Sequence, residues 1–128
     1  MINFNKNSVF NLTPINPKSI MGDVNGLLIQ GEFVNQAFKT IRDQIIFTNK
    51  RIIAIDVQGI TGKRKSFSSL PYSKIQYFAV QTPGFIEIIR DSELFLMFSN
   101  GFTASFEFKG GVDIGAIGRM ISEYVLAG

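Results

Sequence analysis

The sequence predicts a mainly β domain with a helix near each end. From Phe33 onward, short runs rich in Val, Ile, Phe, Thr and Tyr follow one another across short connections. Within the last run, Phe102, Ala104, Phe106 and Phe108 alternate with Thr103, Ser105, Glu107 and Lys109, so one face meets a core and the other meets water. After Gly110-Gly111 the period changes, and Ile114, Ile117, Ile121 and Tyr124 form a helical stripe with Val125 beside it. A chain of 128 residues fits one domain and is long enough to bury a core.

Residues 1–16 are rich in Asn and show no sustained period, so they read as an N-terminal arm, and residues 17–128 as a single domain. Asn16-Pro17 begins a helix, with Asn as N-cap and Pro at the first helical position. Ile20, Val24, Leu27 and Leu28 fall on one face of it, Gly22 and Gly26 weaken it, and Gly31 ends it. Strands are expected at 33–41, 44–49, 51–57, 65–69, 74–82, 85–90, 93–99 and 102–109. Arg42-Asp43, Asn49-Lys50, Pro83-Gly84 and Asn100-Gly101 read as turns. Connections this short require an antiparallel meander, because parallel neighbours need long crossovers. The final helix begins at Asp113. Its Gly115 and Gly118 lower helicity and permit close approach to a sheet. A run of strands closed by one amphipathic helix suggests a small barrel or orthogonal sandwich.

Three runs do not alternate: Ile45-Ile-Phe47, Ile52-Ile-Ala-Ile55 and Leu94-Phe-Leu-Met-Phe98. If Leu94, Leu96 and Phe98 face inward, Phe95 and Met97 face outward. One barrel has one interior, so the remainder needs a second cover. The terminal helices cover part of it and a second copy of the chain the rest, since monomers rarely expose large apolar patches. Phe95 and Met97 are therefore the candidate oligomer interface; the alternative is that the N-terminal arm folds over the surplus.

The chain has no Cys, His or Trp. That composition excludes disulfides, zinc fingers, iron–sulfur clusters and Ser-His-Asp or thiol catalysis within it. Neither a cofactor nor a metal is expected. Asp91-Ser-Glu93 is the closest acidic pair and supplies too few oxygens for calcium. An enzyme is not expected. The longest apolar run is Leu94 to Phe98, far short of the roughly 20 residues a membrane span requires. Residues 1–7 show no secretory pattern, so a cytoplasmic location is expected.

Between residues 50 and 74 the chain carries six cations, Lys50, Arg51, Lys63, Arg64, Lys65 and Lys74, against the single acid Asp56. These six are the candidate anion- or lipid-binding residues, centred on the turn at 63–65. The alternative is a solvated hairpin tip that protects an edge. A phosphate-binding loop is excluded: Arg64 follows Gly62-Lys63, and Val57 stands where the first Gly is needed. Phe67 and Tyr72 near the cations raise single-stranded nucleic acid as a minor possibility, but Phe67 reads as core.

The stretch from Ile41 to Asp56 (IRDQIIFTNKRIIAID), with Gly59-Ile-Thr-Gly-Lys63, Pro71-Tyr-Ser-Lys-Ile75 and the closing Phe106-Glu-Phe-Lys-Gly-Gly-Val-Asp113, resembles the bacterial pleckstrin-homology (PH)-like domain family. The resemblance spans residues 28–127. It implies a PH-like barrel of about seven strands in two near-orthogonal antiparallel sheets, closed by the C-terminal helix. It also implies homo-oligomeric, ring-like assembly without established catalysis, and suggests a link to envelope or stress responses. Phosphoinositide-binding PH domains carry their cations on a longer loop joining the first two strands, where this chain has only Arg42-Asp43. The expected function is thus a self-associating scaffold for another protein or peptide. The alternative is a module held at the inner membrane surface by acidic headgroups on Lys63, Arg64 and Lys65.

Overall fold

The computed structural model describes residues 8–59, 63–82 and 91–127. The strands are β1 (Ser8–Ile15), β2 (Val34–Lys39), β3 (Asp43–Thr48), β4 (Arg51–Gln58), β5 (Arg64–Pro71), β6 (Ile75–Gln81), β7 (Ser92–Phe98) and β8 (Thr103–Phe108). The helices are α1 (Met21–Val24) and α2 (Ile114–Leu126). The strands form one sheet in the order β5-β4-β3-β2-β1-β8-β7-β6. It is not closed, because β5 and β6 remain its two edges. The strand expected at 85–90 and the turn at Pro83-Gly84 lie outside the described residues.

The arm is the main departure from the expected layout. Residues 8–15 form β1, a strand in the middle of the sheet, antiparallel to β2 and parallel to β8. The meander is therefore not antiparallel throughout. The register of β1 shifts between Val9 and Leu12, where Asn11 adopts φ +62. Asn tolerates that left-handed geometry better than most residues. The irregularity buries both Val9 and Leu12, three positions apart, which hides the strand from a period-2 reading. The first hairpin also differs by one residue. Thr40 N–H donates to Asp43 O at 2.8 Å, so Ile41-Arg42 form the turn and Asp43 begins β3.

Two cores explain two of the three non-alternating runs, those of β3 and β4. Ile45, Phe47, Ile52 and Ala54 face the main core with Phe38, Leu94, Leu96, Phe106 and Phe108. Phe38 meets Phe108 edge-on at 4.9 Å. Ile46, Ile53 and Ile55 face the other way and pack with Ala37, Ile20 and Val24. The surplus of β3 and β4 is thus sheltered by the chain's own N-terminal helical segment, and both strands read as continuous apolar runs. That segment is shorter than expected. Asn16 caps a 3-10 turn over Pro17–Ile20, its side chain accepting from Lys18 N–H at 3.0 Å, and α1 then spans a single turn. Gly22 and Gly26 give helix little support, and Leu27 lies exposed.

The C-terminal helix follows expectation. Asp113 accepts from Ala116 N–H at 3.0 Å, and Ile114, Ile117, Met120 and Ile121 are buried against the main core. A Cβ added at Gly118 would come within 3.1 Å of Val80 Cγ1, so the glycine lets α2 sit tightly on β6. Tyr124 stacks on Tyr72 with centroids 5.1 Å apart.

Candidate interaction surfaces

The six basic residues do not form one patch. β4 and β5 pair along their full length, with Arg51 opposite Pro71 and Gln58 opposite Arg64. Seven residue steps separate those two ends, about 23 Å at strand rise. Lys63, Arg64 and Lys65 therefore stand at one end of the hairpin, with Lys50, Arg51 and Lys74 at the other. Lys65 Nζ is held by Asp23 Oδ1 of α1 at 2.9 Å. Lys63, Arg64, Lys50 and Lys74 are exposed.

Arg51 is committed to the fold. Its Nε and Nη2 donate to Glu32 Oε2 and Oε1, each at 3.0 Å. Nη2 also donates to Leu27 O at 2.6 Å, and Nη1 to Ser69 Oγ at 2.9 Å. Burial pushes the Glu32 carboxyl up, but hydrogen bonds from Arg51, Thr48 and the Ile29 N–H outweigh it and hold the group below its ordinary value. Nothing in sequence singles out Glu32, an isolated acid after Gly31. Tyr72 is buried, and its hydroxyl donates to Thr48 O at 2.7 Å. Burial pushes the Tyr72 phenol far up, with smaller effects from Tyr124 and Glu32. Phe67 departs from the expected core position: it lies on the outer face opposite Ile55 and is 39% exposed. Phe67 and Tyr72 thus do not make a stacking platform.

The outer face of β6–β8 carries a second feature. Leu94, Leu96 and Phe98 are buried, while Phe95 and Met97 point outward and are half-buried. Met97 lies opposite Tyr77, and Phe95 lies opposite Ala79. Tyr77 is 52% exposed and meets the Phe95 ring at 6.1 Å. Neither Phe95 nor Met97 joins either core cluster. Phe10 of the neighbouring strand β1 is 54% exposed. Glu93 and Glu107 sit opposite each other on the same outer face. Burial, then the charges of Asp91 and Glu93, raise the Glu107 carboxyl above its ordinary value.

The third feature is the free edge. β5 pairs with β4 alone, and most of its residues are exposed. Beside its C-terminal end opens a cavity of about 530 Å³ between Ser68–Pro71, Lys74 and the β7–β8 hairpin. Among the described residues no group of three His, Cys, Asp or Glu could hold a metal ion. No helix there is long and apolar enough to cross a membrane.

An open eight-stranded sheet with a C-terminal helix packed over its core and a short helix at the N-terminal side is a PH-like fold. A DUF1696-family protein with a pleckstrin-homology domain from Shewanella loihica superposes with a TM-score of 0.77 at 34% identity, covering 91% of this chain and 99% of that one. The pleckstrin homology domain from Shewanella amazonensis gives 0.65 at 35% identity, covering 87% and 89%. The uncharacterised Bacillus subtilis protein YjqA is 43% identical over 84 residues, 66% of each chain. The family model for the bacterial PH domain matches residues 3–125, and the chain belongs to that family.

Proposed function

We propose that this PH-like domain is a non-catalytic protein-interaction scaffold that assembles with copies of itself through the outer face of β6–β8. The observation that carries the reading is the row of Tyr77, Phe95 and Met97, apolar side chains on the face opposite the main core. Aromatic and Met side chains suit an association surface, because burying them against another chain removes apolar area from water, provided the Tyr77 hydroxyl keeps a hydrogen-bond partner. Polar Thr103 and Ser105 border the row on β8, and Glu93 and Glu107 lie at its far end. Light scattering tests the reading: a mass several times 14.3 kDa at micromolar concentration is expected, and a monomer overturns it.

The second reading is a membrane-surface module. Exposed Lys63 and Arg64 favour it, whereas the pairing of Lys65 with Asp23 and the separation of Lys50 and Lys74 from the turn weaken it. Sedimentation with phosphatidylglycerol vesicles against neutral vesicles separates the two readings.

A further inference from the structure

We propose that β5 is a docking strand for an extended acidic peptide, and that the cavity at its end takes one apolar side chain of that peptide. The proposal deepens the scaffold reading by naming the chemistry of the partner.

The two edges of the open sheet are not equivalent. α2 packs on β6 with Val80 close to Gly118, although most of β6 stays exposed or half-buried, whereas no described helix end is seated on β5 beyond the Asp23 contact to Lys65. Among the described residues β5 has β4 on one side and no strand on the other, so alternate N–H and C=O groups along it point away from the sheet. Edges are commonly blocked by bulky charge or by proline within the strand. Here Pro71 stands only at the last position and exposed Arg64 only at the first, while Lys65 is drawn to Asp23. Between them Ser66, Ser68 and Ser69 present small side chains, interrupted by the exposed ring of Phe67, and the serines let another backbone approach. Strand addition uses such an edge: main-chain hydrogen bonds give affinity and pockets for alternate side chains give specificity.

The cavity supplies such a pocket. Leu70, Phe98 and Phe102 give it apolar walls, while Ser68, Ser99 and Lys74 supply polar ones. Its volume of about 530 Å³ exceeds that of any single side chain. Charge selects the partner. β5 contains no acid, Lys63 and Arg64 are exposed at its start, and Lys74 lines the cavity. Among the described residues none of these three cations makes an ion pair, and Asp23, the acid that reaches β5, is already engaged by Lys65. A strand bearing Asp or Glu on either side of one Leu, Ile or Phe complements both ends. A second copy's β5 would bring more cations and no acid to the edge, which opposes homotypic pairing.

The test is selection of a displayed random dodecapeptide library on the purified full chain, followed by amide NMR titration with the selected peptides. Expected are sequences rich in Asp and Glu around one apolar residue, and shifts at the amides of 64–70 and of Phe98 and Phe102. Binding should weaken in salt, vanish when alternate peptide amides are N-methylated, and fall about fivefold for Lys74→Glu. Acid-poor selected peptides, unmoved β5 amides, or equal binding by the N-methylated peptide would overturn the proposal. So would phosphatidylglycerol vesicles or protein dilution alone moving those amides while the peptides do not. Light scattering on the same samples reports assembly separately, so loss of peptide binding and loss of self-association are distinguishable.

Discussion

Arg51 grips Glu32 through two parallel bonds of 3.0 Å, and the Glu32 carboxylate it neutralises is wholly shielded from solvent. Arg51 stands at the start of β4, and Glu32 precedes β2. The same guanidinium also holds Leu27 O and Ser69 Oγ. One side chain therefore ties the chain leaving α1 to β4 and β5, beside the second core formed by Ile20, Val24, Ile46, Ile53 and Ile55.

Arg51→Met should destabilise the domain by about 3 kcal/mol, because a buried carboxylate loses its counter-charge. Glu32→Gln should cost less, since Arg51 keeps Leu27 O and Ser69 Oγ and reaches solvent. The pH dependence follows from the lowered Glu32 group. A carboxyl held below its unfolded value stabilises the fold above that unfolded value, and the gain is lost as pH falls through the folded one. In Arg51→Met the same group is left with burial as its main influence, so this acid-labile contribution disappears. Urea titrations at neutral and acid pH, on wild type and both variants, measure all three effects.

Phe95→Asp or Met97→Asp should abolish the proposed self-association while leaving the thermal transition within a few degrees of wild type. Both side chains lie outside the two cores, so a charge there meets water in the free subunit and apolar surface only at an interface. Leu96→Asp, one position away and fully buried, should unfold the chain. Light scattering and circular dichroism on the three variants separate the outcomes.

These contrasts show where sequence and structure part company. The period-2 pattern of β8 and the apolar stripe of α2 were legible because each element has one wet face and one dry face. In the non-alternating run of β7 only a conditional choice of face was legible, and the structure takes the one with Leu94, Leu96 and Phe98 inward. β1 was not legible, because the irregularity at Asn11 interrupts its alternation. The apolar excess of β3 and β4 was visible, and so was a helical cover for part of it; how short that cover is was not, because α1 is a single turn whose propensity is poor. The basic residues looked contiguous in sequence, yet a hairpin of two eight-residue strands carries them to opposite ends. Arg51 looked like one cation among six, because the acid that claims it lies 19 residues away with no pattern to mark it.

Replacing Lys63, Arg64 and Lys65 together with Ser should leave the fold intact. Among the described residues the replacement removes one ion pair, Lys65 with Asp23, in which both side chains are about one-third exposed, and such pairs contribute about 0–1 kcal/mol. Vesicle sedimentation then reads the turn alone. Retention of phosphatidylglycerol binding by the triple variant, or no binding by wild type, would exclude the turn as a lipid site.

Glu107→Gln should stabilise the domain at neutral pH. Glu107 faces Glu93 across β7 and β8, and like charges directly opposite repel. Burial, Asp91 and Glu93 all raise its carboxyl. A carboxyl raised in the folded state binds its proton more tightly there than in the unfolded chain. Its stabilising contribution is therefore complete below the ordinary carboxylate value and is lost as pH rises through the raised one. At neutral pH the wild type carries the strained charge and the Gln variant does not, so the variant should melt about 1–3 °C higher. In acid, where Glu107 is protonated in both states, the two melting temperatures should converge. A gain that persists unchanged at low pH would place its origin in packing and not in charge.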